Sequence, residues 1–367
     1  MNRPDAINSV IESLRSSAQP GTNPIRLPRT LLILLQITKE LATGRLIRTR
    51  QSLLAVAPEI VQILGQIYLQ KVQSWQYAVS ANSGDQVVIF QEMQTSLLAI
   101  KVLRRLLIAG YEFPNRESEV HQFWELTSAQ VGAFISIVSN PATLPSEMMQ
   151  LVEKHLLQLV KLQLEMAKTH PAAFVLLPNS LDLVGSYWGL VKQYGETFGS
   201  RTAVTKAAIG SNGDSEDGRS FQEKLCLKGL LLVRACIKMV HNPTQTFKYR
   251  HSQEKEEKNL TTQTVKDQLL TRAFVQELME VVVMKFFVFR ESDLRDWEEE
   301  PEEWEHSMES EGEGYEFSIR PCAEKVFLDL ALNYRDVVIQ PLMAVFSQVA
   351  SKSMSLVPTA FRRVCPC

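Results

Sequence analysis

A chain of 367 residues, 45% hydrophobic and 22% charged, holds enough apolar material for a large buried core and is long for one compact globule, so several domains or one repeating array are expected. Its formal net charge of −2 argues against a dedicated nucleic-acid binder, which is usually clearly basic. Cys226, Cys236, Cys322, Cys365 and Cys367 show no framework spacing, and Met1-Asn2-Arg3-Pro4 is followed by no apolar h-region; the apolar runs Leu31–Leu35 and Val281–Phe289 are too short to span a bilayer, so a soluble, intracellular protein is expected.

In chain order, helix signals alternate with breakers. Thr43-Gly44 ends one helix, and Leu46 to about Ala81 reads as nearly continuous, with Pro58 inside it. Asn82-Ser83-Gly84-Asp85 separates the next pair. Ile100, Leu103 and Leu107 then fall on one stripe, with Lys101, Arg104 and Arg105 facing away. Gly110 to Asn115, Asn140-Pro141, His170-Pro171 and His241-Asn242-Pro243 are further breaks. Between them, Leu156, Leu159, Val160 and Leu164 form a second stripe, opposed by Lys154, Gln158, Lys161 and Lys168. Gly210 to Gly218 reads as a flexible loop. Asp296 to Glu316 is strongly acidic and contains no Lys or Arg. Phe327, Leu330, Ala331, Tyr334 and Val338 form a third stripe, and Ser351 to Cys367 no longer resembles a packed helix. Sustained strand alternation is absent from the sequence.

The expected fold is all-α, an α-solenoid of HEAT-like helical hairpins, because units that cannot bury their faces alone gain a core by stacking. Residues 1–350 are expected to form a single solenoid segment, with a flexible loop at about 199–219 and the acidic segment at about 296–317; residues 351–367 are expected to form an irregular tail. A helical bundle is the competing architecture.

Catalytic and metal signatures fail on chemistry. Gly213 to Ser220 approximates a phosphate loop, but Arg219 replaces its lysine and Asp214, Glu216 and Asp217 would repel a phosphate. The six histidines form no metal-like pair, and Cys365-Pro366-Cys367 supplies only two thiols where structural zinc takes four ligands. No nucleophile elbow or zincin helix occurs, so the chain is expected not to be an enzyme and to need no cofactor. The acidic segment has two readings: a solvated loop, or a contact for a basic partner, since clustered carboxylates speed encounter with cations. Trp297, Trp304, Tyr315 and Phe317, embedded in it, would anchor it on neighbouring helices.

Asp293-Leu-Arg-Asp-Trp297-Glu-Glu-Glu-Pro301-Glu-Glu-Trp304 resembles the Leu-x-x-Trp-x-x-x-Pro-Glu-x-aromatic motif of the importin-β superfamily. Ser318-Ile-Arg320-Pro321-Cys322-Ala-Glu324-Lys-Val-Phe327-Leu-Asp329 is similar to the matching stretch of its importin-eleven subgroup, as are Ile37 to Leu46 and Leu98 to Leu106 in the same order. The resemblance covers roughly residues 25–350. It implies a nuclear import receptor that binds protein cargo, Ran in its GTP form and Phe-Gly nucleoporins, working by differential binding in the nucleus, the cytoplasm and at the nuclear pore. Neither nucleic acid nor membrane insertion is implied. Trp297, Glu298, Glu299, Glu300, Glu302, Glu303 and Trp304 are the residues assigned to Ran or basic cargo. No equivalent of the family's N-terminal arch, or of its longer C-terminal part, is found, so a truncated, central fragment is expected. The alternative is a helical-repeat adaptor with no role in transport.

Overall fold

The computed structural model describes residues 3–17, 19, 21, 23–44, 46–81, 83–140, 144–199, 220–247, 252–288, 290–299, 301–302 and 313–356. Among the described residues there is helix and no strand. The helices are α1 (Arg3–Ser17), α2 (Arg26–Thr43), α3 (Ile47–Ser80), α4 (Gln86–Ala109), α5 (Ser118–Ser139), α6 (Ser146–Thr169), α7 (Pro171–Leu176), α8 (Ser180–Phe198), α9 (Phe221–His241), α10 (Pro243–Thr246), α11 (Ser252–Thr264), α12 (Arg272–Val281), α13 (Glu291–Glu299), α14 (Ile319–Asn333) and α15 (Arg335–Leu356). Single π-helical turns extend α11 (Val265–Leu269) and α12 (Val282–Phe286).

The breaker chemistry explains the boundaries. Asp85 caps α4 by accepting the Val87 N–H at 2.9 Å, after Gly84 takes φ 106°, a conformation that favours glycine. Gly110 closes α4, and Pro114 opens a 3₁₀ turn before α5. Pro171 begins α7 at the first helical position, where its missing N–H costs nothing. Ser220 caps α9 by accepting from Glu223 N.

The chain divides into two compact units. The first comprises residues 1–186 and 244–261, the second residues 187–243 and 262–367. In the first, hairpins α1–α2, α3–α4 and α5–α6 stack side by side in two layers, the arrangement of a solenoid of HEAT-like hairpins. Three contacts fix the step between successive hairpins: Arg104 reaches Glu165, 61 positions on, Ile108 O accepts from the His170 ring, 62 on, and Tyr68 reaches Gln130, 62 on. The layer of α2, α4 and α6 packs extensively, whereas α1, α3 and α5 touch sparsely. Both predicted stripes in this unit lie in the core: Ile100, Leu103, Leu107, Leu156, Leu159, Val160 and Leu164 are buried. α3 is long and apolar enough to cross a membrane by composition alone, but Leu53, Ile60, Val61, Leu64, Ile67, Tyr68, Val72 and Trp75 are buried in this packing.

In the second unit α9 is buried on nearly every side, from Leu225 to Met239, and packs along α14. The second half of α8 lies against α12 and its π turn, through Trp188 on Phe274 (5.9 Å between ring centroids) and Phe198 on Phe286 (5.3 Å).

Two sequence expectations are corrected. The third stripe is not one helix: α14 ends at Asn333 and α15 begins at Arg335. Tyr334 leaves the helical conformation (φ −128°, ψ 44°), and its ring stands edge-on to His241 at 4.8 Å, which draws it out of the helix. The tail expected from Ser351 is helical as far as Leu356. The loop at 200–219 and residues 357–367 lie outside the described residues.

Candidate partner-binding surfaces

A cleft of about 620 Å³ opens in the loosely packed layer of the first unit, between α3 and α5. Its floor is apolar: Val61 and Phe123 are buried at its base, and Leu69 and Leu126 are half-buried on its walls. Gly65 keeps it open beside the Phe123 ring, where a Cβ would stand 3.7 Å from Cδ2. The rim is polar, with Gln62, Gln66 and Gln122 exposed, and Glu59 and Glu119 at one end. Phe123 is held by Tyr68, whose ring centroid lies 5.6 Å away.

A buried polar network fixes the geometry beneath this cleft. Tyr68 donates its hydroxyl hydrogen to Gln130 Oε1 at 2.5 Å, and its oxygen lies 2.9 Å from His155 Nε2. Occupied as a donor, the Tyr68 hydroxyl can only accept from His155, which sets the imidazole as the Nε2–H tautomer. Burial pushes the His155 pKa down to about 3, so the ring is neutral. Burial likewise raises Tyr68, Tyr187 and the thiols of Cys226 and Cys236. These perturbed groups sit in packed core rather than on the walls of the cleft. Among the described residues no group of three or more His, Cys, Asp or Glu is placed to hold a metal ion.

The acidic segment is placed in part. Trp297, Glu298 and Glu299 lie at the end of α13, with Trp297 51% exposed and both glutamates exposed; Glu302 is also exposed. Glu300, Glu303 and Trp304 lie outside the described residues. Of the four aromatics expected to anchor the segment, Tyr315 is anchored: Arg234 of α9 lies over its ring, 4.3 Å from the centroid. Arg234 is itself fixed by donating from Nε to Asp329 Oδ2 of α14 at 2.8 Å. Phe317 is exposed. Sequence reasoning missed Arg234 and Asp329, since nothing local marks a buried cation among the leucines of α9. It also left open which inter-helix groove would be apolar and accessible.

No family model matches the chain. It is 28% identical over 346 residues to the importin beta-like protein KAP120 of Saccharomyces cerevisiae, covering 93% of this chain and 31% of that protein. It is 24% identical over 342 residues to human Importin-11, covering 93% and 31%, and 24% identical over 349 residues to the importin beta-like protein kap113 of Schizosaccharomyces pombe, covering 92% and 33%. The solved structure of Lph2, described as a bidirectional nuclear transport receptor in S. cerevisiae, superposes with a TM-score of 0.73 at 24% identity over 94% of this chain and 31% of that one, which shows the shared fold. The chain thus spans about a third of the length of the relatives it matches. The resemblance read from its motifs is thereby borne out at the level of homology: the relatives this chain matches are importin-β-like proteins, Importin-11 among them, and its fold is that of an all-α solenoid.

Proposed function

We propose that this chain acts in nuclear transport of protein cargo, and that it engages Phe-Gly repeats in the α3–α5 cleft and Ran·GTP or basic cargo through the acidic segment from Trp297 to Trp304. The observation that carries the reading is the cleft itself: an apolar floor of Val61 and Phe123, framed by parallel helices of successive hairpins, in a homologue of importin-β-like proteins. A phenylalanine side chain entering it exchanges water for Phe123, Leu69 and Leu126, and the small Gly65 admits the peptide backbone close to α3. Many shallow sites of this kind give weak, rapidly reversible contacts that add through multivalency. The acidic segment supplies long-range attraction to a cationic partner, held at one end by Tyr315 under Arg234. No catalysis is involved in this reading.

The test pairs two variants with two ligands. Gly65→Leu fills the cleft; the five-site variant Glu298→Gln, Glu299→Gln, Glu300→Gln, Glu302→Gln and Glu303→Gln removes charge. The parent chain should bind a labelled Phe-Gly repeat peptide, and should prefer Ran·GTP to Ran·GDP with an affinity that falls with salt. Gly65→Leu should lose the peptide at least tenfold and keep Ran; the charge variant should do the reverse. Unchanged peptide affinity in Gly65→Leu, with native circular dichroism, overturns the cleft. Equal binding of the two Ran forms overturns the nucleotide-regulated reading and leaves the adaptor.

A further inference from the structure

The layer opposite the cleft carries a cluster of positive charge. α4 supplies Lys101, Arg104 and Arg105 within little more than one turn, and α6 supplies Lys154 and Lys161. The α4–α6 register brings them together. Arg104 reaches Glu165 across the two helices, and Ile108 O accepts from His170 further along, so one turn back Lys101 stands beside Lys161. Lys154 is exposed, and Lys101, Arg105 and Lys161 are half-exposed, so the charges face solvent from a tightly packed base. Among the described residues two carboxylates adjoin them: Glu165 pairs with Arg104 and also acts on Arg105, and Glu153, half-buried, lies beside Lys154.

The Arg104 Nε–H is buried and has no acceptor. Among the described residues no carboxylate is paired with Lys101; burial first, and then Lys154, Lys161, Arg105 and Arg104 around it, hold its pKa below the usual lysine value. Repulsion of this kind destabilises the folded chain, and an incoming anion relieves it. The surface extends over roughly two helical turns, about 11 Å. That length matches three or four carboxylates of a peptide. A polyphosphate backbone asks instead for a long cationic track on a basic protein, whereas this chain carries a net charge of −2.

We propose that the α4–α6 face is a docking surface for an acidic peptide stretch of a protein partner, with Lys101, Arg105, Lys154 and Lys161 receiving its side-chain carboxylates, and with Arg104, paired with Glu165, adding positive potential from beneath. The surface is independent of the cleft and of the acidic segment: it takes ligands of opposite charge to the latter, and lies in the other layer from the former.

The test is fluorescence anisotropy with the whole chain and a labelled ten-residue glutamate peptide, with a glutamine peptide of equal length as control. The parent should bind the glutamate peptide alone, and more weakly as salt rises. A Lys101→Gln, Arg105→Gln and Lys161→Gln variant with native circular dichroism should bind at least tenfold more weakly. A control variant, Lys255→Gln with Lys266→Gln, removes two exposed lysines elsewhere and should match the parent. Equal affinity of the triple variant and the parent overturns the proposal. So does binding of a ten-nucleotide single-stranded DNA as tight as that of the peptide, since it would reveal an unselective polyanion surface.

Discussion

Two glycines in helix interiors should respond to alanine with opposite signs. Adding a methyl at such a position raises helix propensity by about 1 kcal/mol, so the outcome rests on what the new Cβ meets. At Gly65 it would meet the Phe123 ring at 3.7 Å, an ordinary contact. At Gly229, in the middle of α9, it would stand 2.6 Å from Val191 Cγ2 and 3.4 Å from the Tyr187 carbonyl oxygen of α8. Val191 is fully buried and β-branched, so its rotamer cannot turn aside, and helix α8 must yield by about an ångström. Overpacking of this kind costs about 1–3 kcal/mol. Gly65→Ala should therefore stabilise the chain by about 1 kcal/mol, and Gly229→Ala should destabilise it by about 1–2 kcal/mol after the propensity gain is subtracted. The assay is urea unfolding followed by tryptophan fluorescence, which Trp75 and Trp124 report for the first unit and Trp188 for the second. Val191→Ala opens the space that the new methyl needs, so the double variant should be more stable than the two single changes sum to, by about 1–2 kcal/mol. A Gly229→Ala protein as stable as the parent, or additivity in the double variant, would refute the steric reasoning.

Two further outcomes follow from buried polar groups. His155 is neutral in the folded chain, with a pKa near 3 against about 6.5 when unfolded, so the unfolded chain binds the extra proton between those values. Its contribution is complete above pH 6.5 and is lost as pH falls toward 3. At pH 5 the parent should have lost about 2 kcal/mol more than His155→Gln relative to pH 7.5, measured by urea unfolding at both pH values, and parallel pH dependences would dismiss this assignment. Arg234→Met leaves Asp329 shielded and unpaired and removes the cation from Tyr315, so it should cost about 3 kcal/mol. Adding Asp329→Leu should restore more than half of that, and a double variant no more stable than Arg234→Met would show that the pair is not the cause.

Much of the local structure was legible because it is written in short-range chemistry. Ile100, Leu103 and Leu107 repeat at helical spacing and are buried, and the breaks at Gly44, Gly110, Pro171 and Pro243 fall at helix ends. Tyr334 defeated the same rule, since its spacing fits the stripe and only His241, far back in the chain, explains its departure. The step of 61 or 62 residues between hairpins was hidden for a related reason. It is carried by single pairs such as Arg104 with Glu165 and Tyr68 with Gln130, and not by recurring residue types. The importin-like motifs around Trp297 and Arg320 pointed to the homology through identity at a few positions, whereas the cleft was invisible because its walls come from two separate stretches, Pro58 to Leu69 and Ser118 to Leu126.

The difference between the two layers of the first unit follows from which residues line them. Where α4 meets α6, Ile100, Leu103, Leu107, Leu156, Leu159 and Leu162 are buried, and branched aliphatic side chains close the interface. Along the outer half of α3 and α5 the facing positions are Gln62, Gly65, Gln66 and Gln122. Burying those amides without partners would cost more than the contact would return, so the helices stay apart and leave Val61 and Phe123 at the bottom of an open groove. The closed layer, in turn, is rigid enough to hold five cations near one another against their repulsion. The proposed groove for apolar side chains and the proposed surface for carboxylates therefore arise on opposite layers of the same hairpins, glutamine lining α3 and α5 and leucine closing α4 on α6, and a ligand on either leaves the other open.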